Sequence, residues 1–265
     1  LLATVIWGSA FVAQSVGMDH AGPYTFQAIR CAMAAIGLVP VIAIFDAGKN
    51  DGKNFISRFA DKKLWTAGVL AGIPLCFAAN LQQIGILYTD AGKSAFLTAM
   101  YIIFVPLIGI FLKRRPSPMI PVCVLLAAIG LYFLSCAGVS GINIGDIFLL
   151  LCALAFAVQI NCIDHFCSEL DGFRMNCIQA LTVAVLSAPF VALTETVDMG
   201  NLLACWGPLC FAGCLSMGLA YSLQIVGQKS MEATAASLIM SLESVFAAIF
   251  GIIILHQQMS QREVI

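Results

Sequence analysis

Residues 11–20 read FVAQSVGMDH and residues 156–165 read FAVQINCIDH, so the pattern F-x-x-Q-x4-D-H occurs twice at an offset of 145 residues. A second set of matches follows in the same order at an offset of 142 residues: Leu81-Gln82, Gly85, Asp90-Ala91 and Gly109 return as Leu223-Gln224, Gly227, Glu232-Ala233 and Gly251. Two sets with nearly equal offsets indicate an internal duplication. In a membrane protein with many spans, duplication is typical of secondary transporters, whose substrate site lies where the repeats meet.

The composition of the chain is that of a membrane protein. Of its 265 residues, 61% are hydrophobic and 10% are charged, whereas soluble domains carry roughly 25% charged residues. Most charges lie in short links between apolar runs of about 18 to 24 residues, long enough to cross a hydrocarbon core of ~30 Å. The sequence therefore predicts an all-α polytopic protein in a lipid bilayer. It contains no large soluble segment that would favour a receptor or scaffold.

The apolar runs and the turn-forming residues between them predict nine helices, followed by a tenth beyond residue 265. Five spans would form a first repeat over residues 1–137, and four would form a second repeat over residues 138–265. The predicted spans cover residues 2–18, 24–45, 64–88, 91–112, 118–137, 145–163, 172–193, 203–225 and 232–255.

The distribution of Lys and Arg predicts the orientation. The links after spans two and four hold eight basic residues, and the links after spans one, three, five and seven hold only Lys93. Basic links face the cytoplasm, which predicts a multi-pass protein of the cell inner (cytoplasmic) membrane. A first repeat of five spans, an odd number, makes the second repeat inverted. The eight residues are Lys49, Lys53, Arg58, Lys62, Lys63, Lys113, Arg114 and Arg115.

Several short motifs resemble the drug/metabolite transporter superfamily, specifically its ten-span EamA-type branch. They are WGSAF at residues 7–11, Arg30, DAGKSAFL at residues 90–97, Gly145-Asp146, and AASLIMSLESVFAA at residues 235–248. The resemblance implies two five-span repeats and an alternating-access carrier for small metabolites, often an exporter of amino acids or related compounds. The chain departs from the family pattern after span nine, where it reads Leu255-His256-Gln257 instead of Leu-Gly-Glu.

Polar residues inside apolar spans are the candidate substrate-binding residues, because placing them against lipid is expensive. One set lies in the extracytoplasmic half of the first repeat and another in the cytoplasmic half of the second, as two half-cavities of an inverted repeat would require. The alternative is that these groups only hydrogen-bond between helices. The candidates are Gln14, Gln27, Arg30, Asn80, Gln83 and Tyr101 in the first set, and Gln159, Gln179, Tyr221, Gln224 and Ser241 in the second, with Thr98 and Ser237 beside them.

Arg30 and Glu243 are the two charged candidates. Arg30 lies about 9 Å into span two and Glu243 about 16 Å into span nine from the other face, which leaves an axial gap of about 5 Å. Arg30 could instead extend to the near interface. We expect Glu243 to bind a proton or a substrate amine, because burial favours the neutral form of a carboxyl group. Arg30 would be the counter-charge of Glu243 or an anchor for a substrate carboxylate. At the offset of 142 residues, Glu243 corresponds to Tyr101 of the first repeat.

Trp7 is a further candidate for the cavity, although packing against lipid would explain it equally well. The eleven cysteines fall mostly in apolar runs and form no C-x-x-C motif, which indicates packing rather than disulfide or metal chemistry. We expect spans one to four and six to nine to surround a cavity, with span five at the periphery.

Other functional classes lack their motifs in this chain. It contains neither H-E-x-x-H nor G-x-S-x-G, and no phosphate-binding loop, so we expect neither an enzyme nor an ATP-driven pump. A channel or facilitator without ion coupling is the remaining alternative. We expect a small polar metabolite as substrate and protons as coupling ion, no cofactor, metal or nucleic acid, and a monomer or weak dimer.

Overall fold

The computed structural model describes residues 1–48, 54–113 and 143–256, together with positions 118, 122, 125, 126 and 129. These residues form helices and no strand. The helices are α1 Leu2–Met18, α2 Pro23–Ala47, α3 Phe55–Phe59, α4 Lys62–Ile86, α5 Ala91–Thr98, α6 Tyr101–Phe111, α7 Ile144–Phe166, α8 Gly172–Thr194, α9 Met199–Ala204, α10 Trp206–Gln228, α11 Ala233–Met240 and α12 Glu243–Leu255.

Seven helical segments of the described chain are long and apolar enough to cross a membrane, and α1 is a shorter apolar helix of 17 residues. The all-α, multi-span prediction is therefore confirmed. The count of nine spans stays a prediction, because span five (residues 118–137) lies largely outside the described residues, as do Lys49, Lys53, Arg114, Arg115 and Gln257. Span eight begins at Trp206 rather than residue 203, since the short helix α9 ends at Ala204.

The predicted spans four and nine are each broken in the middle. The breaks lie between α5 and α6 and between α11 and α12, so that Tyr101 and Glu243 each begin the second half of a span. At both breaks the backbone tightens to i→i−3 hydrogen bonds, such as Ile102 N to Ala99 O (3.0 Å) and Ser244 N to Ser241 O (3.1 Å). Tight turns inside a helix often mark functional positions, and the sequence did not predict these two.

The helices of the two predicted repeats pack mainly across the boundary between them. Helix α4 packs along α7 and α8, α2 packs along α8, and α1 packs along α12. Gly68 and Gly72 permit the close approach of α4 to α8, because a Cβ atom on Gly72 would lie 2.7 Å from Cβ of Thr182 and one on Gly68 would lie 2.7 Å from Cβ of Ile178. Glycines four residues apart are a common device for close helix packing in membranes.

The first turn of α2 is capped by a side chain from the other half of the chain. The Glu195 carboxylate, just after α8, accepts hydrogen bonds from the backbone N–H groups of Tyr24 (3.0 Å) and Thr25 (2.8 Å). A negative charge is favourable there, because a helix N-terminus carries partial positive charge and unpaired donors. A side chain on Gly22 would occupy the space of this carboxylate. Helices α2 and α8 are therefore joined at this end.

Candidate functional site

A central cavity lies among α1, α2, α4, the two broken spans, α7 and α10. The space between its lining atoms amounts to about 450 Å³, but it is narrow and in this conformation admits only a few water molecules. Its walls combine aromatic rings with amides, hydroxyls, one basic side chain and one acidic side chain. The lining residues are Trp7, Phe11, Gln14, Arg30, Gln82, Thr98, Tyr101, Phe156, Gln159, Ile160, Ser216, Tyr221, Gln224, Met240 and Glu243.

Ten of these residues form five pairs at the two offsets of the predicted duplication. Each pair takes one residue from the first half of the sequence and one from the second. The pairs are Phe11 with Phe156 and Gln14 with Gln159 at 145 residues, and Gln82 with Gln224, Thr98 with Met240 and Tyr101 with Glu243 at 142 residues.

Arg30 is held in the cavity wall by two amide oxygens. Its Nε donates to Oε1 of Gln27 (2.7 Å) and its Nη1 donates to Oε1 of Gln14 (2.6 Å). These three residues are the Arg30 network. The side chain is inside the bundle, with 3% of the residue exposed, so it does not extend to the interface. In the described part of the chain no carboxylate lies within ion-pair distance of it, and Glu243 is therefore not its counter-charge in this conformation.

The second half of the chain contains a network with the same connections but no charge. Nε2 of Gln159 donates to Oε1 of Gln179 (3.3 Å), and Nε2 of Gln179 donates to Oδ1 of Asn176 (3.2 Å). These three residues are the Gln179 network. Asn176 and Gln179 are the fifth and eighth residues of α8, as Gln27 and Arg30 are of α2. The two networks differ chiefly in their central side chain.

Glu243 is buried, with 5% of the residue exposed, at the first position of α12. Its carboxyl group lies near the Tyr101 hydroxyl, which makes no hydrogen bond to the described part of the chain. The cavity therefore places a carboxyl group beside a phenol, at the turns that break the two spans.

Several polar atoms of the cavity wall have no protein partner. Nε1 of Trp7, Oη of Tyr101 and Oε1 of Gln224 are buried and make no hydrogen bond. The ring of Trp7 contacts Tyr221 edge-on, with centroids 5.0 Å apart. A buried polar group without a partner costs stability, and these three are available to a solute or to water.

Five predicted residues do not line the cavity. Gln27 and Gln179 lie one hydrogen bond behind it, in the two networks. Asn80 bonds Ser187 (2.9 Å) between α4 and α8, and Ser241 bonds the carbonyl of Leu238 (2.8 Å). Gln83 is fully buried, and both of its amide atoms lack partners.

The cavity also contains residues that were not among the predicted binding residues. The predicted duplication offers a signal for most of them, because Gln82 corresponds to Gln224, Phe11 to Phe156, and Met240 to Thr98, which was named beside the predicted candidates. Ile160 and Ser216 carry no such signal.

Charged contacts between the two halves lie at both ends of the bundle. At the end that carries the 54–63 link, here called the basic face, Arg174 of α8 pairs with Asp46 of α2, and Nε of Arg58 lies 3.8 Å from the same carboxylate. Lys63 pairs with the exposed Glu169, and this hydrogen bond lowers the pKa of the Glu169 carboxyl group.

At the opposite face, Nζ of Lys93 lies 2.9 Å from Oδ2 of Asp146, and both side chains are largely buried. Asp146 also accepts from the backbone N–H of Asn143 (3.0 Å) in a capping box that begins α7. The Asn143 side chain donates to the carbonyl of Tyr88 (3.0 Å). These contacts join the α4–α5 link and the first turn of α5 to the start of α7.

The sequence of this chain matches the profile of the EamA-like transporter family over residues 1–136 and 143–265, nearly its whole length. The chain belongs to the EamA-like transporter family. It is thus a multi-pass membrane transporter for a small-molecule substrate, and not an enzyme. This family is part of the drug/metabolite transporter superfamily, which the short motifs predicted.

Similar proteins agree with this membership. An "uncharacterized transporter" of Archaeoglobus fulgidus is 31% identical over 264 residues, which cover 97% of this chain and 77% of that protein. The "uncharacterized transporter YoaV" of Bacillus subtilis is 26% identical over 264 residues, covering 97% of this chain and 87% of that protein. A protein crystal structure aligns with a TM-score of 0.71 at 16% identity, over 99% of this chain and 91% of the other, which shows a common fold.

Several residues of the motifs that resemble this family lie at the contacts and in the cavity described above. Lys93, from the DAGKSAFL motif, and Asp146, from the Gly145-Asp146 motif, form the ion pair of the opposite face. Glu243, within the second-half motif, lines the cavity. Among the described residues, no three His, Cys, Asp or Glu side chains come together as a metal site.

Proposed function

We propose that the protein is a secondary active transporter that moves a small polar metabolite, such as an amino acid or a related compound, by alternating access, with the central cavity as its substrate site. The observation that carries this proposal is the composition of the cavity wall. Arg30, Glu243 and four amides line it, and three buried polar atoms of the lining residues have no hydrogen-bond partner among the described residues. Such a wall suits a polar solute, whereas an apolar one would leave these groups unpaired.

Alternating access is supported by the contacts at the two ends of the bundle. Charged pairs join the halves of the chain at the basic face and at the opposite face, and the cavity between them is narrow. Opening one set of contacts would widen the route by which a solute reaches this cavity. Because all of these pairs join residues 1–137 to residues 138–265, movement of one half against the other would open them. This is the movement of inverted-repeat carriers.

Two inverted repeats of five spans are supported by the pairing of cavity residues at the offsets of 145 and 142 residues and by the breaks at Tyr101 and Glu243. The family profile matches two stretches whose limits lie near those of the predicted repeats. The basic links support a cytoplasmic position for the basic face in the inner membrane. The resemblance to exporters of amino acids and related compounds supports export as the direction of transport.

Protons are the coupling ion in this proposal, and Glu243 is the group that binds them. Its position at a helix break lets the environment of the carboxyl group change when the halves move, because Tyr101 begins the facing break. A conformational change that alters the surroundings of a carboxyl group alters its proton affinity. Proton binding and solute movement would thus be coupled without a cofactor.

The experiment that tests the proposal is solute counterflow in proteoliposomes. Vesicles loaded with an unlabelled solute should take up the labelled solute transiently above its equilibrium level, and uptake should saturate. A panel of amino acids and small organic acids supplies the solutes. A channel would instead give single-channel currents or uptake that rises linearly with concentration, and that result would overturn the carrier mechanism. A facilitator without ion coupling would show counterflow but no accumulation driven by a pH gradient, which would overturn the proton coupling.

A further inference from the structure

Arg30 is a buried cation without a carboxylate partner in the described part of the chain. Its two hydrogen bonds, to Gln14 and Gln27, end on neutral amide oxygens. Amide oxygens orient a guanidinium group but do not neutralise it. Burying a charge without a partner of opposite sign is expensive, so this arrangement needs a reason beyond packing.

The guanidinium group of Arg30 has N–H donors that make no bond within the described part of the protein, and Arg30 lines the cavity. It carries five N–H donors in a rigid fork, and the two bonds use two of them. Arg30 lines the cavity, while Gln14 and Gln27 fix its orientation. A planar fork held in this way suits a carboxylate or another anionic oxygen group.

The Gln179 network shows that the positive charge is not needed to build such a network. Gln179 occupies the same place in α8 as Arg30 in α2 and bonds corresponding partners, Gln159 and Asn176. It does so while fully buried. A neutral glutamine is therefore compatible with this kind of helix contact, and the charge of Arg30 has another role.

We infer that Arg30 selects the substrate class: the transported solute carries one anionic oxygen group, a carboxylate or its equivalent, which binds the guanidinium fork of Arg30. Gln14 and Gln27 act as positioning residues that orient the fork. This inference rests on the proposed function, since it assigns the central cavity to the solute. The remaining lining groups, including Trp7, Tyr101 and Gln224, contact the neutral part of the solute.

The test compares two matched pairs of probes that differ only in the anionic group: lactate with lactamide, and threonine with threoninamide. Thermal unfolding of the purified protein in detergent is titrated with each probe to give an apparent Kd. In the wild type we expect the carboxylate member of at least one pair to bind about tenfold or more tightly, because losing one partner of a buried charged hydrogen bond is costly.

In Arg30→Gln the carboxylate and the amide should bind about equally tightly. Arg30→Lys keeps the charge but not the fork, and its preference for the carboxylate should lie between those of the wild type and Arg30→Gln. Arg58→Gln is the matched control, since it removes an arginine that pairs with Asp46 at the basic face, outside the cavity. It should keep the preference of the wild type. Thermal unfolding of both Arg30 variants is also measured without solute, so that a variant that does not fold is recognised. If Arg30→Gln does not fold, Arg30→Lys decides the question.

Two results would overturn the inference: an equal preference in wild type and Arg30→Gln, or a wild type that binds the amides as tightly as the carboxylates. Counterflow with the same four probes separates this failure from that of the proposed function. If the wild type exchanges the amides by counterflow without preferring carboxylates, the protein is a carrier and only the role of Arg30 is wrong. If the wild type neither exchanges nor binds any of the four probes, the assignment of the cavity as the substrate site fails together with the inference about Arg30.

Discussion

Replacing Glu243 by glutamine removes the carboxyl group from the cavity wall while nearly preserving the volume of the side chain. Glu243 is the only acidic residue among those described that line the cavity. A carrier that uses it would therefore move one proton per cycle. Each pH unit across a membrane is worth about 1.4 kcal/mol per proton, which corresponds to a solute ratio of about tenfold.

The assay is accumulation of a transported solute in proteoliposomes whose membrane potential is held at zero. With one pH unit imposed, in either direction, the wild type should accumulate or deplete the solute by up to about tenfold. Glu243→Gln should still exchange solute by counterflow but should only equilibrate it when the pH gradient is imposed. The slope of accumulation against the pH difference measures the number of coupled protons.

Asp198→Asn serves as the control, because it removes an exposed carboxyl group that caps the short helix α9 outside the cavity. It should accumulate solute as the wild type does. Unfolding temperatures of both variants report whether either change has damaged the fold. Proton-driven accumulation at the level of the wild type in Glu243→Gln would refute the coupling role and leave this residue a structural one.

Three further changes test the packing and the end contacts. Gly72→Leu should destabilise the protein by about 1–3 kcal/mol or more, because its Cβ would lie 2.7 Å from that of Thr182; thermal unfolding in detergent measures this, and an unchanged midpoint would contradict the close packing. Asp146→Asn should cost about 1–3 kcal/mol and expose the opposite face to labelling of introduced cysteines, since the ion pair between Asp146 and Lys93 is lost; unaltered labelling would mean that this pair does not hold the face closed. Glu195→Ala should lower stability by about 2 kcal/mol by uncapping α2, and a matching loss of hydrogen-exchange protection should be confined to the first turn of that helix.

Part of the site was predictable because its information lies along the chain. Eight of the thirteen predicted binding residues line the cavity, among them Arg30, Tyr101 and Glu243. Each is a polar or aromatic group within an apolar run, where the bilayer makes such residues rare. The offsets of the duplication carry further information, and they identify Gln82 as the mate of Gln224.

The choice between neighbouring residues was not predictable. Gln82 lines the cavity, whereas Gln83, about 100° further around α4, points elsewhere and is fully buried. In a soluble helix an apolar stripe would identify the inward face. In a membrane, the lipid-facing and core-facing sides are both apolar, so the sequence offers no such stripe.

The sequence by itself determined the all-α class, the positions of most spans and the membership of a transporter family, because these depend on the length of apolar runs and on short motifs. Tertiary structure alone decided which side chains meet. It pairs Arg30 with Gln14 and Gln27 rather than with Glu243, and it brings Arg174 to Asp46. Such contacts depend on the rotation and crossing of helices far apart in the chain. Close packing around small residues such as Gly72 sets those angles, and composition does not encode them.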